Sequence, residues 1–438
     1  MFCVIFRCFS SVRKKFPEPI AILGKSWYNN QNKYAHGGIS KMKQFDITYF
    51  HGPFSNFVVK DETVREIAAS GMTLVPLHYG TETNKAALPL LRRYGLRAIV
   101  SDPRISRVYR DDDLAAADAM AKEVVADYAD YDNIIGWDIV DEPNAAKFPV
   151  LAAIVNAFRR YSPDMETVIN LFPNYASPEQ LGNPDYVSHL EAFVNIVRPH
   201  LLSYDHYHFL GRENRNQTLD LDVDERERLI RLSAETTENR GGFFENIEDF
   251  RRIAVKYGID PMLIVLLTEH GPYRNLTRGE LFWEVNMCLA YGMKRISYFT
   301  YWEPSHDDHW QWTNAMCDTE GNKMPHWYDV QAINAAISPA GRRLFQTTSE
   351  AVFHIGTPEP AATAFTGFGG ISAIDGENGV IGFFSDGSVY LVNRDFQREN
   401  TFTIHADKPL NVLVGDAFVP MDGTSIMLGA GEAVLLKF

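Results

Sequence analysis

Up to about residue 345 the chain alternates short, almost continuous apolar runs with longer stretches whose apolar residues recur every three or four positions. The short runs predict eight strands: Phe45 to Phe50, Met72 to Leu77, Leu96 to Val100, Ile134 to Val140, Glu166 to Leu171, Leu201 to Tyr207, Met262 to Leu267 and Arg295 to Tyr301. The helical period falls between them, over Glu62 to Ala69, Lys85 to Arg93, Asp113 to Tyr128, Pro149 to Tyr161, Phe244 to Tyr257 and Arg278 to Tyr291. Strands that are aliphatic on both faces suit a parallel sheet covered on both sides, and strands alternating with helices are βα units. Eight such units make an α/β fold with the content of a (β/α)8 TIM barrel. The rival, a doubly wound open sheet, would carry a Gly-x-Gly-x-x-Gly turn after its first strand. This chain reads Tyr49-Phe50-His51-Gly52-Pro53-Phe54 there, so the barrel is the expectation.

After Ala340 the period changes to two, in segments separated by Gly, Asp and Asn: Val380 to Phe384, Ser388 to Val392, Thr401 to Ile404, Asn411 to Val414 and Ala433 to Phe438. Alternating strands with frequent turn residues predict a small antiparallel β-sandwich, with Asp386-Gly387 as a hairpin turn. No acid, His or Cys clusters in it, so its expected role is structural. The expected organisation is an N-terminal extension over 1–36, a catalytic barrel over 37–344 and a C-terminal β-sandwich over 345–438. The charged stretch from Leu210 to Gly242 is too long for an ordinary connection and is expected to be part helix, part active-site lid.

Composition narrows the ligand. Of 438 residues 42 are basic and 56 acidic, a net charge of −14, which disfavours nucleic acid or an anionic membrane, since both need a basic face. Cys3, Cys8, Cys288 and Cys317 lack metal-ligand spacing and are too few to form a disulfide scaffold. The first 16 residues carry their basic cluster after the apolar run, which makes a poor secretory signal, and no run reaches the ~18 apolar residues of a membrane span. A soluble protein is expected: periplasmic or secreted if a leader has been lost or mis-started, otherwise cytoplasmic. No motif calls for a cofactor.

Chemistry enters at the strand ends, where barrels place their active sites. Gly136-Trp137-Asp138-Ile139-Val140-Asp141-Glu142-Pro143-Asn144 runs from an apolar strand into two acids and a proline. A proline removes a ladder donor, so pairing ends just past Glu142. A second strand ends in Thr268-Glu269-His270-Gly271. Two carboxyls at one barrel mouth can divide labour as acid/base and nucleophile of a retaining glycosidase; context assigns Glu142 the first role and Glu269 the second. The remaining rim residues His78, Asp102, Asn174 and His206 are candidate partners of sugar hydroxyls, with His208 and His270 beside them.

Gly-Trp-Asp-Ile-Val-Asp-Glu-Pro resembles the fourth-strand motif of the clan A retaining glycosidases, Trp-x-x-x-Asn-Glu-Pro, and Thr-Glu-His-Gly resembles their seventh-strand nucleophile motif. Both fall on the fourth and seventh strands counted from periodicity alone. The resemblance covers roughly residues 40 to 345 and reaches the clan, not one family. It implies that Trp302, in Ser297-Tyr298-Phe299-Thr300-Tyr301-Trp302-Glu303, is a stacking platform for sugar, and that Tyr207, in Asp205-His206-Tyr207, donates to Glu269. One position departs from the pattern: Asp141 stands where the clan has Asn, so an ionised acceptor replaces a donor to the sugar 2-hydroxyl, beside the acid whose pKa it would raise.

The chain is thus expected to take an oligosaccharide, polysaccharide or glycoside substrate and to hydrolyse a β-linked neutral glycan or glycoside by double displacement. The alternatives are a non-catalytic glycan-binding barrel and a metal-dependent barrel hydrolase, although no His-Glu-x-x-His spacing is present. Glu303 is the rival nucleophile, set against by its place between Trp302 and Pro304. No motif encodes the sugar, the choice of exo or endo cleavage, or the oligomeric state.

Overall fold

The computed structural model describes residues 43–211, 239–306 and 311–438. The expected N-terminal extension and nearly all of the expected lid segment lie outside the described residues. Eight strands form one parallel sheet: β1 Asp46–Tyr49, β2 Leu74–Leu77, β3 Arg97–Val100, β4 Ile134–Asp141, β5 Glu166–Leu171, β6 Leu201–Asp205, β7 Asp260–Leu266 and β8 Arg295–Phe299. Ladders link β2 through β8 in chain order, and β8 then pairs with β1. Between β1 and β2 the circle is closed by two hydrogen bonds in place of a ladder: the Thr73 amide donates to the Ile47 carbonyl at 2.9 Å and the Ile47 amide to Thr73 Oγ1 at 3.0 Å. The fold is a TIM barrel.

Each expected strand appears, with no end moved by more than two residues and Glu166–Leu171 reproduced unchanged. The apolar criterion overruns where the residues past a strand are themselves covered, as at β6, which stops at Asp205 although His206 is also buried. The periodic reading began a helix at Asp113, but Asp113 Oδ1 instead accepts from the Ala116 amide at 3.0 Å, and the helix starts at Ala117.

The barrel has two apolar surfaces. Outside, the strands' aliphatic residues pack on the helices; inside, Leu74, Ile99, Ile135, Val168, Leu201, Met262 and Ile264 form a separate plug. That plug divides the interior into a mouth cavity of about 280 Å³ at the C-terminal strand ends and a basal cavity of about 500 Å³ at the N-terminal ends.

The last barrel helix, Pro325–Phe345, precedes an all-antiparallel β-sandwich. Its strands are β9 Ser349–Ile355, β10 Ile371–Asp375, β11 Gly379–Phe384, β12 Ser388–Asn393, β13 Asn400–Ala406, β14 Asn411–Val414, β15 Ala417–Pro420, β16 Ser425–Leu428 and β17 Ala433–Lys437. One sheet has the order β9-β11-β12-β17-β14-β15 and the other β10-β13-β16. Their facing residues, among them Ile381, Phe383, Leu391, Phe402, Ile404 and Leu436, form a second core. The sandwich leans on helix Arg278–Ala290, every residue of which from Glu280 onward is buried, as a helix enclosed on all sides must be. Asn286 Nδ2 donates to the Gly431 carbonyl at 2.8 Å, and a β-carbon at Gly382 would stand 2.2 Å from the Ala290 carbonyl oxygen, so only glycine admits this approach. Among the described residues no helix is long and apolar enough to cross a membrane.

Candidate active site

The mouth is shaped by an irregularity in β4. Its register against β5 shifts between Asp138, opposite Val168, and Val140, opposite Ile169, which leaves Ile139 as an extra residue. In a regular strand Asp138 and Asp141, three apart, would face opposite sides. The bulge re-aims one of them, and both line the mouth cavity with His78, Ser101, Asn170 and Ser203 above a floor of Ile99, Val168, Met262 and Ile264.

Glu142 follows at once. It takes a left-handed conformation, φ 45°, and its amide makes the last bond of the β4 to β5 edge, donating to the Asn170 carbonyl at 2.9 Å. Pro143 then prevents further pairing. Burial, followed by the Asp141 charge, pushes the Glu142 carboxyl up to about 7. Asp205, at the end of β6 and 7% exposed, is pushed well above the usual carboxylate range by burial and then by Glu142 and Asp141. Asp141 turns its side chain to the open cleft, yet the protein crowding it from below, and then Asp138, raise its pKa against the opposing hydrogen bond from Asn170. Three carboxyls thus lie close enough to raise one another's proton affinity, with a deficit of positive charge about them.

The positive charge present is largely committed. His78 Nε2 lies 2.6 Å from Asp138 Oδ2. Burial works against its charge, but the carboxylates of Asp138 and then Asp141 outweigh burial and raise its pKa. The Arg240 guanidinium carbon lies 4.1 Å from the centre of the Tyr175 ring, and the group donates to the Tyr207 carbonyl and the Tyr273 hydroxyl.

Glu269 stands beyond the end of β7, in a two-residue ladder that pairs His270 with Trp312 and Glu269 with Thr313. Its Oε2 accepts from Asn314 Nδ2 at 2.7 Å and from Thr313 Oγ1 at 3.3 Å. Asn314 has φ 60°, a conformation Asn tolerates better than most residues. Around this acid stands an aromatic wall: the Tyr207 ring lies 5.2 Å from Phe299 and 5.9 Å from His270, and His270 stacks on Trp312 at 4.6 Å. Burial pushes His270 down to about 4, so it stands there as a neutral ring.

The structure corrects several sequence expectations. Asp102 is 0% exposed: it caps helix Pro103–Arg110 by accepting from the Arg104 amide, binds the Arg104 guanidinium at 2.8 Å, and accepts from Thr81 and Tyr128, so it has no capacity left for sugar. His206 is 1% exposed, with Nδ1 3.0 Å from Asn246 Oδ1, and does not reach the cleft. Trp302, 2% exposed, is packed against Phe57 and Phe54. A stacking platform needs an open face, so Trp302 is not one. Glu303, which the sequence already set aside as nucleophile, is buried, its amide donating to the Cys317 carbonyl at 2.9 Å. Asn174 is engaged with the returning chain, its backbone amide donating to Asn246 Oδ1 and its Nδ2 to the Gly242 carbonyl.

Three residues were missed by sequence reasoning. Asn170 is the penultimate residue of β5, with no neighbouring acid to mark it. Trp312 and Asn314 lie past the eighth strand in a loop where no period applies, their only signal being the aromatic and polar run Trp310-Gln311-Trp312-Thr313-Asn314.

No model of a protein family and no curated protein matches the sequence. In fold the chain is similar to a β-galactosidase from Bacillus circulans sp. alkalophilus, at 9% identity over 91% of this chain and 99% of that one, TM-score 0.58. It is similar also to a glycoside hydrolase at 10% identity, covering 90% and 92% of the two chains, TM-score 0.50. It spans 62% of the β-galactosidase from the psychrophilic Marinomonas ef1. At such identities the likeness is one of fold: a parallel eight-stranded barrel that these glycoside hydrolases share.

Proposed function

We propose that the chain is a retaining glycoside hydrolase that cleaves a β-linked neutral glycan or glycoside by double displacement, with Glu142 as acid/base and Glu269 as nucleophile. The observation that carries this reading is the contrast between the two acids. Glu142, pushed up to about 7 by burial and Asp141, keeps a proton to donate near neutral pH. Glu269, just past the end of β7, has one carboxylate oxygen held by Asn314, which restricts how its carboxylate can be presented to a sugar. The fold shared with a β-galactosidase and a glycoside hydrolase supports the same class.

In the first step Glu269 attacks the anomeric carbon while Glu142 gives its proton to the leaving oxygen. In the second, Glu142 takes a proton from water, which releases the sugar from Glu269 with its configuration retained. The hydroxyl-reading residues are His78 and Asp141, the latter as an acceptor only. Trp312 takes the stacking role that buried Trp302 cannot, and Tyr207 lies on the nucleophile's side of the mouth. The barrel is the catalytic unit and the sandwich supports it.

A panel of aryl β-glycosides followed by proton NMR tests the reaction, and a 2-deoxy-2-fluoro glycoside tests the nucleophile. The β-anomer should appear first, and the trapped sugar should map to the peptide containing Glu269. Initial release of the α-anomer would overturn the retaining mechanism. Sugar binding without turnover across the panel would favour a non-catalytic barrel.

A further inference from the structure

Asn170 occupies the gap between β4 and β6 and engages both. Its carbonyl accepts from the Glu142 amide at 2.9 Å. Its Nδ2 donates to Asp141 Oδ1 at 3.0 Å and to Asp205 Oδ1 at 2.8 Å. Its Oδ1 accepts from Ser203 Oγ at 2.8 Å. The two side-chain donors are therefore both used and the acceptor is occupied. The orientation of the amide follows from these partners: turned over, it would set Oδ1 against two carboxyls and strand the Ser203 hydroxyl.

Building on the glycosidase reading, we propose that Asn170 is a positioning residue for the acid/base step: it anchors the Glu142 backbone and spans Asp141 and Asp205, so that Glu142 is the carboxyl that hands its proton to the leaving group. Two carboxyls joined through one amide do not both ionise readily, because their charges repel. Asp205 is buried and Asp141 opens to the cleft, so the proton rests on Asp205 and the charge on Asp141. Hydrogen bonds from the amide favour that charge, and the charge in turn keeps Glu142 protonated.

The groups facing this cluster are Asp138 on β4 with His78 after β2, Tyr207 beyond β6, Tyr175 after β5, Tyr186 on helix Tyr186–Val197, and Tyr273 after β7 with Arg240 on its hydroxyl. Asn170 alone of the residues described here touches both carboxyls and the acid/base backbone.

The test compares Asn170→Ala with Asn170→Asp. Alanine removes the donors, so Asp141 takes up a proton more readily and Glu142 loses its own at lower pH. Aspartate keeps the shape, the backbone contact and the Ser203 acceptor but adds a fourth carboxyl, so Glu142 holds its proton to higher pH. The alkaline limb of kcat should move down by about 0.5–1 pH unit in the first variant and up by about as much in the second, with kcat falling roughly tenfold and KM within about threefold. Carbon-13 NMR titration of the Glu142 carboxyl in the intact protein should show the same opposite movements without substrate. If both variants leave the Glu142 midpoint in place, or move it the same way, Asn170 is only a packing residue and the proposal is wrong. If the wild type turns over no glycoside, the glycosidase reading fails, while the NMR midpoints still decide whether Asn170 governs the Glu142 proton.

Discussion

The two ends of the barrel are built from the same residue types and differ in whether their charges are matched. At the base, Arg97 binds Asp46, Arg295 lies 2.5 Å from Glu166 and 3.6 Å from Asp46, and Lys43 reaches Asp260. Lys294 gives its ammonium to the carbonyls of Leu344 and Thr347, at 2.6 and 2.5 Å. At the mouth, Asp141, Glu142 and Asp205 gather with no cation bound to them among the described residues. An ionic network that is paired and buried is a structural device, whereas carboxyls whose proton affinities are pushed away from the ordinary value in a cleft mark chemistry. The basal cavity is the larger of the two, about 500 Å³ against about 280 Å³, so size favours the base while charge balance favours the mouth, and the proposed function follows the charge.

The contrast is tested most strongly by removing the acids themselves. Glu269→Gln should lower kcat by on the order of 10⁴-fold or more, as loss of a nucleophile does, and Glu142→Gln by about 10²–10⁴-fold, both in steady-state assays, with no loss of urea midpoint in either and a gain at neutral pH for Glu142→Gln, which removes a carboxyl whose ionisation the fold opposes. At the base the same kind of change should act on stability instead. Glu166→Gln leaves Arg295 only the more distant Asp46, which Arg97 also binds, and should cost up to about 3–5 kcal/mol in urea unfolding, and joint replacement of Glu166 and Arg295 by Leu and Met should recover most of it. If Glu166→Gln instead left stability unchanged and reduced kcat, the division between the ends would collapse.

A pH titration of stability sharpens the contrast. Glu142 is raised from the ordinary 4.5 to about 7, so between those values the native state holds a proton that the unfolded chain has lost. Stability must fall as pH rises through that window. Asp141→Asn removes the charge that follows burial as the cause of this rise, and should flatten the fall by roughly 1–2 kcal/mol after solvent screening. Urea midpoints at pH 4.5 and 7.5 measure it, and an unchanged slope would detach Asp141 from the Glu142 proton.

What was legible in the sequence follows from this physics. Aliphatic strands buried on both faces announce themselves, so β1 to β8 could be counted and Glu142 and Glu269 placed at strand ends. The sandwich strands Gly379–Phe384 and Ser388–Asn393, buried throughout, were equally plain. Largely exposed strands such as Ile371–Asp375 and Ala417–Pro420 offered no alternation to read. The β4 bulge escaped notice because one added residue alters no composition, yet it decides that Asp138 and Asp141 share the cavity. Trp302 was misread because position along a strand does not reveal which aromatic is covered, and here Phe54 and Phe57 cover it. Asn170 carries no local signal, since its partners come from two other places in the chain, the end of β4 and β6.

The finest test is Asp102, which stands at the mouth end but has the electrostatics of the base. Its carboxyl is fully buried, held below the usual range as hydrogen bonds and the Arg104 charge overcome the opposing effect of burial, and it caps Pro103–Arg110. Asp102→Asn keeps a side chain that caps as well and removes only the charge. The expected result is a loss of about 1–2 kcal/mol in urea unfolding, largest at neutral pH and shrinking as pH falls through the depressed native pKa, where the wild-type charge is also gone. With kcat and KM unchanged beside that loss, compensation by a partner, and not position at the mouth, decides which acids do chemistry. A fall in kcat/KM with stability intact would return Asp102 to the site.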